Sequence, residues 1–513
     1  MHASVLSVAL HVGLLWTLAS GASIPRYFEK HSITRRDLTS AQVQQELGGQ
    51  VSNTTLIFGP EDARFNETTS RWTDFSKPTV QVVIEPGSES DVATIVQYCN
   101  ANSIEFLATS GGHGLSASLR TFNGVQISLS QLDDITLSRN RKTAWFGGGT
   151  LVGPVIQTLW DQGYVTTTGG CECVGMLGAG LGGGHGRYEG LYGMISDNLR
   201  QLNVVLADGS TLRVNSTSHA DLLWGLKGAG HNFGIVTSYQ MHIYPRGPDT
   251  WHYHNYVWEG PYLEQVFTAL NTFHGNGTTP VNMAFNVGSF LLNTTISTTD
   301  PVMFWTFAYR GTAKQAERLL APFNAIPAAY QESGDVAYPQ IAPAQGTSMN
   351  DPICQHGRIH STSTAGLQVY NVTAERRIYE TFQRVAAADP TLAAATNIMH
   401  EGYATEAVEA IPAADSAYPF RADRHLMLFN AAVAHGEDDR ETAAWAWAAE
   451  VRDLWNGGQP DRPVNAYVNY ATGLESLEER YGHERWRLER LRGLKARYDP
   501  DNRFRFYNPI VVD

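Results

Sequence analysis

Nine of the eighteen residues from Gly169 to Gly186 are glycine, and that density limits what the stretch can become. A helix or strand interior loses roughly 0.5–1 kcal/mol for each glycine in place of alanine. Two readings remain: a flexible linker, or a backbone that a large flat ligand approaches closely. Linkers are serine-rich and polar, whereas Val174, Met176, Leu177 and Leu181 interleave these glycines. Buried ligand contact is the favoured reading.

A second glycine turn precedes it. Ile104-Glu105-Phe106-Leu107 reads as a buried strand and runs into Ala108-Thr109-Ser110-Gly111-Gly112-His113-Gly114. Glycines there adopt positive φ, and successive amides form a nest suited to a phosphate. Taken alone, the same residues also describe a surface turn with a solvated histidine. The 513 residues allow about two to four domains. A hydrophobic share of 42% with 17% charged residues fits a globular protein with a sizeable core. The formal net charge of −13 argues against a nucleic-acid partner, which requires a basic face.

Ser4 to Leu18 is an apolar run followed by Ala19-Ser20-Gly21-Ala22, the pattern of a secretory leader cleaved near Ala22. It is short for a membrane span, so no membrane attachment is expected after cleavage. Six Asn-x-Ser/Thr sequons, at Asn53, Asn66, Asn215, Asn276, Asn293 and Asn371, agree with a secretory route and are N-glycosylation candidates. The four cysteines, Cys99, Cys171, Cys173 and Cys354, are too few for a disulfide scaffold.

Beyond the leader (1–22), residues 23–73 are polar and mixed and read as an N-terminal arm. Lys77 to Pro86 reads as a strand. Ser88 or Asp91 caps a helix whose Val92, Ile95, Val96 and Cys99 share one face. Strands alternate with helices from there to residue 247, giving a first domain at 74–247. From 248 to 460 aromatic strands such as Met303 to Tyr309 alternate with alanine-rich helices, a separate α+β unit. A C-terminal segment, 461–513, ends in a helix from Arg485 and the tail Tyr498-Asp499-Pro500-Asp501-Asn502.

These pieces, in this order, resemble one family. The motifs are Thr109-Ser110-Gly111-Gly112-His113, the glycine block from Val174 to Gly193, Asp197-Asn198, Gly228 to Val236, Tyr467-Val468-Asn469-Tyr470 and Leu494 to Asn502. The chain resembles FAD-linked oxidoreductases of the vanillyl-alcohol oxidase/PCMH type, in the berberine-bridge-enzyme-like branch, and its wording is similar to secreted fungal members. The resemblance implies an α+β fold: a PCMH-type FAD-binding domain and a substrate domain with a large antiparallel sheet, the C-terminal segment returning to the FAD domain. It implies that His113 is joined covalently to FAD and that Ser110, Gly111, Gly112 and Gly114 hold the pyrophosphate. It places Gly178, Gly182 and Gly183 with Asp197 on the second wall of the site, and Ile235 and Val236 near the adenine. Cys171 stands three residues before Val174-Gly175, the offset of a second flavin-linked cysteine, although Glu172-Cys173 departs from the usual wording. Cys173 then bridges Cys99 or Cys354, or stays free. Val174 occupies the position that governs access of dioxygen.

Flavin carries the hydride chemistry, and the protein supplies orientation and a base. Read as a strand, Tyr467 and Asn469 share one face and Val468 and Tyr470 the other, so a single tyrosine faces the flavin unless a bulge intervenes. The Tyr467/Asn469 face is preferred, with Tyr470 the second candidate; a tyrosine base needs a lowered pKa. His185 and His231 read as structural, and no metal site is expected. The function implied is oxidation of a small natural-product intermediate, with dioxygen as acceptor and hydrogen peroxide as by-product. The alternatives are a carbohydrate oxidase forming a lactone, and a flavin-binding secreted protein without turnover.

Overall fold

The structure, a computed structural model, describes residues 37–511. The leader and its cleavage site lie outside the described residues. The chain adopts the expected α+β architecture, with a four-stranded and a five-stranded sheet in the N-terminal half, a small two-stranded pairing of Tyr164–Val165 with Tyr244–Pro245, and a seven-stranded antiparallel sheet beyond.

The first sheet orders its strands Leu56–Phe58, Thr79–Glu85, Asn123–Ser128 and Glu105–Thr109. The last three run parallel. Helix Glu89–Ala101 covers them, and the periodicity read from the sequence is the buried face: Val92, Ile95, Val96 and Cys99 are all inaccessible. Its cap differs in detail. Ser88 occupies the N-cap without a capping bond and donates instead to Asp91 at 2.8 Å. Asp91 also accepts from Ser52 Oγ at 2.7 Å and Thr55 Oγ1 at 3.0 Å.

Through those two partners, described residues before 73 pack onto the first sheet. Helix Ser40–Leu47 buries Val43 and Leu47, one turn apart, in the same core as Val92 and Ile95. Leu56–Phe58 pairs antiparallel with Thr79–Glu85. Two apolar positions at helical spacing suffice to dock a segment whose other residues face water.

The second sheet runs Ile135–Leu137, Thr143–Gly147, Ile235–His242, Leu199–Val205, Thr211–Asn215. The seven-stranded sheet runs Tyr330–Val336, Trp251–Trp258, Val302–Tyr309, Met283–Leu291, Thr396–Tyr403, His425–Val433, Ile359–Leu367. One of its faces is buried under helices Leu263–His274, Ala313–Asn324, Val372–Ala388 and Asp438–Gly457 around Phe267, Trp305, Phe382 and Trp447. The other faces the N-terminal half.

The C-terminal segment seals the first two sheets. Leu491, Leu494 and Tyr498 of helix Arg485–Tyr498 join the core of Trp224 and Phe233. The buried ammonium of Lys495 meets Asp499 at 2.5 Å, the Phe504 carbonyl at 2.7 Å and the Asn232 carbonyl at 3.1 Å, one acceptor for each proton. Arg505 pairs with Glu105 beneath the first sheet.

Asp197 sits where the two halves meet. It forms a bidentate pair with Arg421 at 2.7 and 3.1 Å, with both side chains about 95% buried. Removing one partner of a buried pair strands the other charge. Arg421→Ala is expected to lower the thermal unfolding midpoint, with a loss of roughly 3–5 kcal/mol that calorimetry or denaturant melts will read. An effect no larger than that of a surface substitution would show that the pair is dispensable.

Candidate active site

A cavity of about 620 Å³ lies between the two small sheets, the C-terminal segment and the open face of the large sheet. Both glycine stretches line it: Ser110 to Gly114 on one side, and Gly169, Gly170, Gly175 and Gly178 on the other. The two touch through backbone. A Cβ added to Gly111 would lie 2.6 Å from the Gly175 amide nitrogen, and Gly112 has φ of +70°. Ile235, Val236 and Gly234 continue the wall, and Phe504, Phe506 and Tyr507 of the C-terminal tail close it.

The donor set suits a dinucleotide. The Ser110 hydroxyl is buried and has no partner within the protein. Among the described residues Arg503 is the single Arg or Lys lining the cavity, and burial lowers its pKa to about 10. A pyrophosphate here is therefore served by amides and a hydroxyl more than by cations. FAD fits this wall of bare backbone. Ser110, Gly111, Gly112, Gly114, Gly175, Gly178, Ile235 and Val236 are the residues that would hold it.

His113 is partly buried beside Trp72, ring centroids 6.0 Å apart. Its Nδ1 contacts the Gly111 carbonyl at 2.8 Å, so Nδ1 carries the proton and Nε2 keeps its lone pair. Burial pushes its pKa down to about 4. A neutral, nucleophilic imidazole results.

Cys173 forms a disulfide with Cys354, 181 residues away, which resolves the three options the sequence left open. Cys171 remains a free thiol on the cavity wall, pushed up to about 11 by burial. Its Sγ lies 3.6 Å from each sulfur of the bridge. Val174 also lines the cavity. Cys99 is free and buried in the first core.

Three site assignments need correction. Gly182, Gly183 and Asp197 do not line the cavity. Gly182 and Gly183 leave room for side chains behind the wall: a Cβ on Gly182 would lie 2.0 Å from Asn469 Oδ1, and one on Gly183 would lie 2.8 Å from the Tyr418 ring. Asp197 is held by Arg421, which lies in the C-terminal half of the chain.

The expected strand at Tyr467–Tyr470 is a turn. The Tyr467 carbonyl accepts from the amides of Tyr470 at 2.8 Å and Ala471 at 2.9 Å. The turn puts both tyrosine rings on the cavity, centroids 5.1 Å apart. Strand alternation, which would have parted them, does not apply. Asn469 stays with Tyr467: its Nδ2 donates to the Tyr467 oxygen at 2.7 Å and to the Ala179 carbonyl at 2.8 Å. The Gly184 amide donates to the same phenol oxygen at 3.1 Å.

Tyr470 points elsewhere. Its hydroxyl donates to Glu401 Oε1 at 2.7 Å, and Tyr403 donates to Glu401 Oε2 at 2.6 Å. Burial raises the pKa of Glu401 against the opposing effect of these two donors, and burial together with the Glu401 charge raises that of Tyr470. Glu401 belongs to none of the sequence motifs. The available signal was a lone glutamate in the apolar strand Thr396–Tyr403, where alternation puts Glu401 and Tyr403 on one face.

His185 is held between Glu189 at 3.0 Å and Tyr418 at 2.7 Å. Burial opposes its charge, but the surrounding carboxylates, Glu189 foremost with Glu401 and Asp423, together raise its pKa. His231 bonds the Gly178 carbonyl at 2.9 Å. Both also touch the cavity.

Comparison with known proteins agrees with this geometry. Residues 80–215 match the FAD binding domain model and residues 466–511 the berberine and berberine-like model. The FAD-linked oxidoreductase iacH of Pestalotiopsis fici is 51% identical, over 99% of this chain and 98% of its own. Among solved structures, the wild-type BBE-like 1 protein of Physcomitrella patens superposes with a TM-score of 0.77 at 18% identity, over 93% of this chain and 100% of its own. The glucooligosaccharide oxidase of Acremonium strictum, which carries a 6-S-cysteinyl, 8α-N1-histidyl FAD, superposes with a TM-score of 0.73 at 18% identity, over 92% and 99%. The chain belongs to the berberine-bridge-enzyme-like family of FAD-linked oxidoreductases and is an enzyme of that class.

Gly111→Ala is expected to yield folded protein with little flavin, because its Cβ must displace the Gly175 backbone. The ratio of flavin to protein absorbance measures this. A wild-type ratio would remove the close approach from the account.

Proposed function

We propose that this enzyme is an oxidase that takes a hydride from a small, largely apolar alcohol or related natural-product intermediate. The observation that carries the reading is the Tyr470–Glu401 pair set in an apolar face of the large sheet. Cross-strand pairs Phe285–Tyr403, Val287–Glu401, Ser289–Met399 and Leu291–Asn397 present alternate residues to the cavity. Phe304 and Leu428 extend that face. A carbohydrate would ask for many polar partners, and Ser289 and Asn397 are few. This favours the apolar substrate over the lactone-forming alternative.

FAD, when bound, would supply hydride acceptance and reoxidation by dioxygen to hydrogen peroxide. The protein's share is the proton. As the substrate O–H loses its hydrogen, Tyr470 takes that proton on its phenol oxygen and passes its own to Glu401. A carboxylate whose pKa is raised by burial is the better proton acceptor. Tyr467, fixed by Asn469 and Gly184, orients the substrate beside it. Val174 borders the path of dioxygen.

Glu401 works as the carboxylate, so activity is present above its folded pKa and is lost as pH falls through it. That value lies above the ordinary 4.5. Glu401→Gln is expected to abolish this acid limb of kcat/KM. Tyr470→Phe and Glu401→Gln are each expected to lower kcat by about 10²–10⁴-fold with flavin content unchanged, and Tyr467→Phe by less. Wild-type turnover and pH dependence in Tyr470→Phe would sink the assignment. A purified enzyme that consumes no dioxygen across alcohols and sugars would instead support a flavin-binding protein without turnover.

His113 is proposed as the covalent anchor of the cofactor and Cys171 as a second link. Flavin should stay with acid-precipitated wild-type protein, and retention in His113→Ala would identify Cys171. Release of all flavin from the wild type would end both claims. The sequons, the disulfide and the leader-like segment support a secretory route with N-glycosylation. Asn53, Asn66 and Asn371 are exposed. Among the described residues no helix is long and apolar enough to cross a membrane.

A further inference from the structure

His252 and His254 stand two residues apart on strand Trp251–Trp258, so their side chains leave the same face. That face is turned away from the flavin cavity, and neither residue lines it. Glu317 of helix Ala313–Asn324 reaches both. Its Oε1 lies 2.7 Å from His252 Nε2 and 2.7 Å from His254 Nδ1. The three ligand atoms lie within 4.8 Å of one another. The imidazoles are buried, with side chains 4% and 8% exposed, while Glu317 at 32% opens the cluster to solvent.

The outer ring nitrogens are also engaged. His252 Nδ1 lies 2.7 Å from Asp335 Oδ1, and His254 Nε2 lies 3.3 Å from Gln331 Oε1, both on the edge strand Tyr330–Val336. His254 stacks on Tyr256, centroids 4.0 Å apart at 12°. Each imidazole thus has one nitrogen aimed at a shared centre and the other anchored to an oxygen.

We propose that His252, His254 and Glu317 bind a divalent transition cation of the zinc type, with water completing the coordination. Borderline cations take imidazole nitrogen and carboxylate oxygen together. Ligating histidines give their other N–H to a carboxylate or carbonyl, which fixes ring orientation, and Asp335 and Gln331 stand in those places. Glu317 and Asp335 balance the charge of a dication. In the protein alone, both nitrogens of His252 face carboxylates, which only accept, so a cation at Nε2 takes the place of a ring proton. Bonds of about 2.0–2.2 Å put tetrahedral ligands roughly 3.3–3.6 Å apart, so the 2.7 Å contacts need widen by less than about 1 Å. The cation clamps a helix and the sheet edge to one centre. Glu317 lies 63 residues beyond His254, which is why spacing in the sequence does not reveal the set.

The test uses untagged flavin-loaded protein, treated with chelator and then dialysed against zinc chloride, with bound zinc counted by mass spectrometry and unfolding followed by heat. The wild type is expected to retain zinc stoichiometrically and to unfold at a higher temperature than the chelated form. Glu317→Gln, on the accessible ligand, is expected to weaken zinc binding at least tenfold with the flavin spectrum unchanged, and His254→Gln to do the same. Absence of zinc from the wild type, or equal zinc in Glu317→Gln, overturns the proposal and leaves a hydrogen-bonded cluster. Because Glu317 is the solvent-accessible ligand, its variant decides the matter even where His254→Gln fails to fold.

Discussion

The site depends on two backbones meeting where side chains are missing. Gly111 and Gly175 leave no space for a Cβ between the turn after one strand and the block that opens helix Met176–Leu181. From that contact follow the exposed amides, the unpartnered Ser110 hydroxyl and the placement of His113 and Cys171 on a common cavity. Hydrophobic cores on either side, around Ile95 and around Leu181, hold the two turns at that distance.

The large sheet divides its labour by pleat. Residues facing the helices are bulky and aromatic, and they make the core around Trp305 and Phe267. Residues facing the cavity alternate with them and form the proposed substrate wall, with Glu401 placed between Val287 and Tyr403 neighbours. The same alternation turns His252 and His254 away from the flavin. A one-residue slip in register would exchange these faces, which makes the register as much a functional constraint as a structural one.

Much of this was legible in the residues. Glycine density between Gly169 and Gly186, interleaved with Leu and Val, marked the cavity wall, and Val92, Ile95, Val96 and Cys99 marked a buried helix face. What escaped were features set by tertiary context. Val43 and Leu47 are too few to signal a docked helix until their partners are seen. The turn at Tyr467–Tyr470 has no glycine or proline to announce it, so alternation was applied where a hydrogen bond from the Tyr470 amide had already bent the chain. Gly182 and Gly183 looked like ligand contacts because density does not tell which glycine makes room for a cofactor and which for Asn469 or Tyr418. Glu401 meets Tyr470 from 69 residues further on, and Asp197 meets Arg421 from 224 residues further on.

The bridge between Cys173 and Cys354 fastens the glycine block to the loop that brings Thr347, Pro352 and Ile353 to the cavity. It encloses a span of 181 residues, most of the substrate sheet included, and in the chain-entropy picture such a loop stabilises on the order of 5 kcal/mol. The glycine block from Val174 onward and the loop from Thr347 to Ile353 are thereby held in one covalent ring. A chain matured without oxidant would own both segments yet lack the tie that keeps them facing.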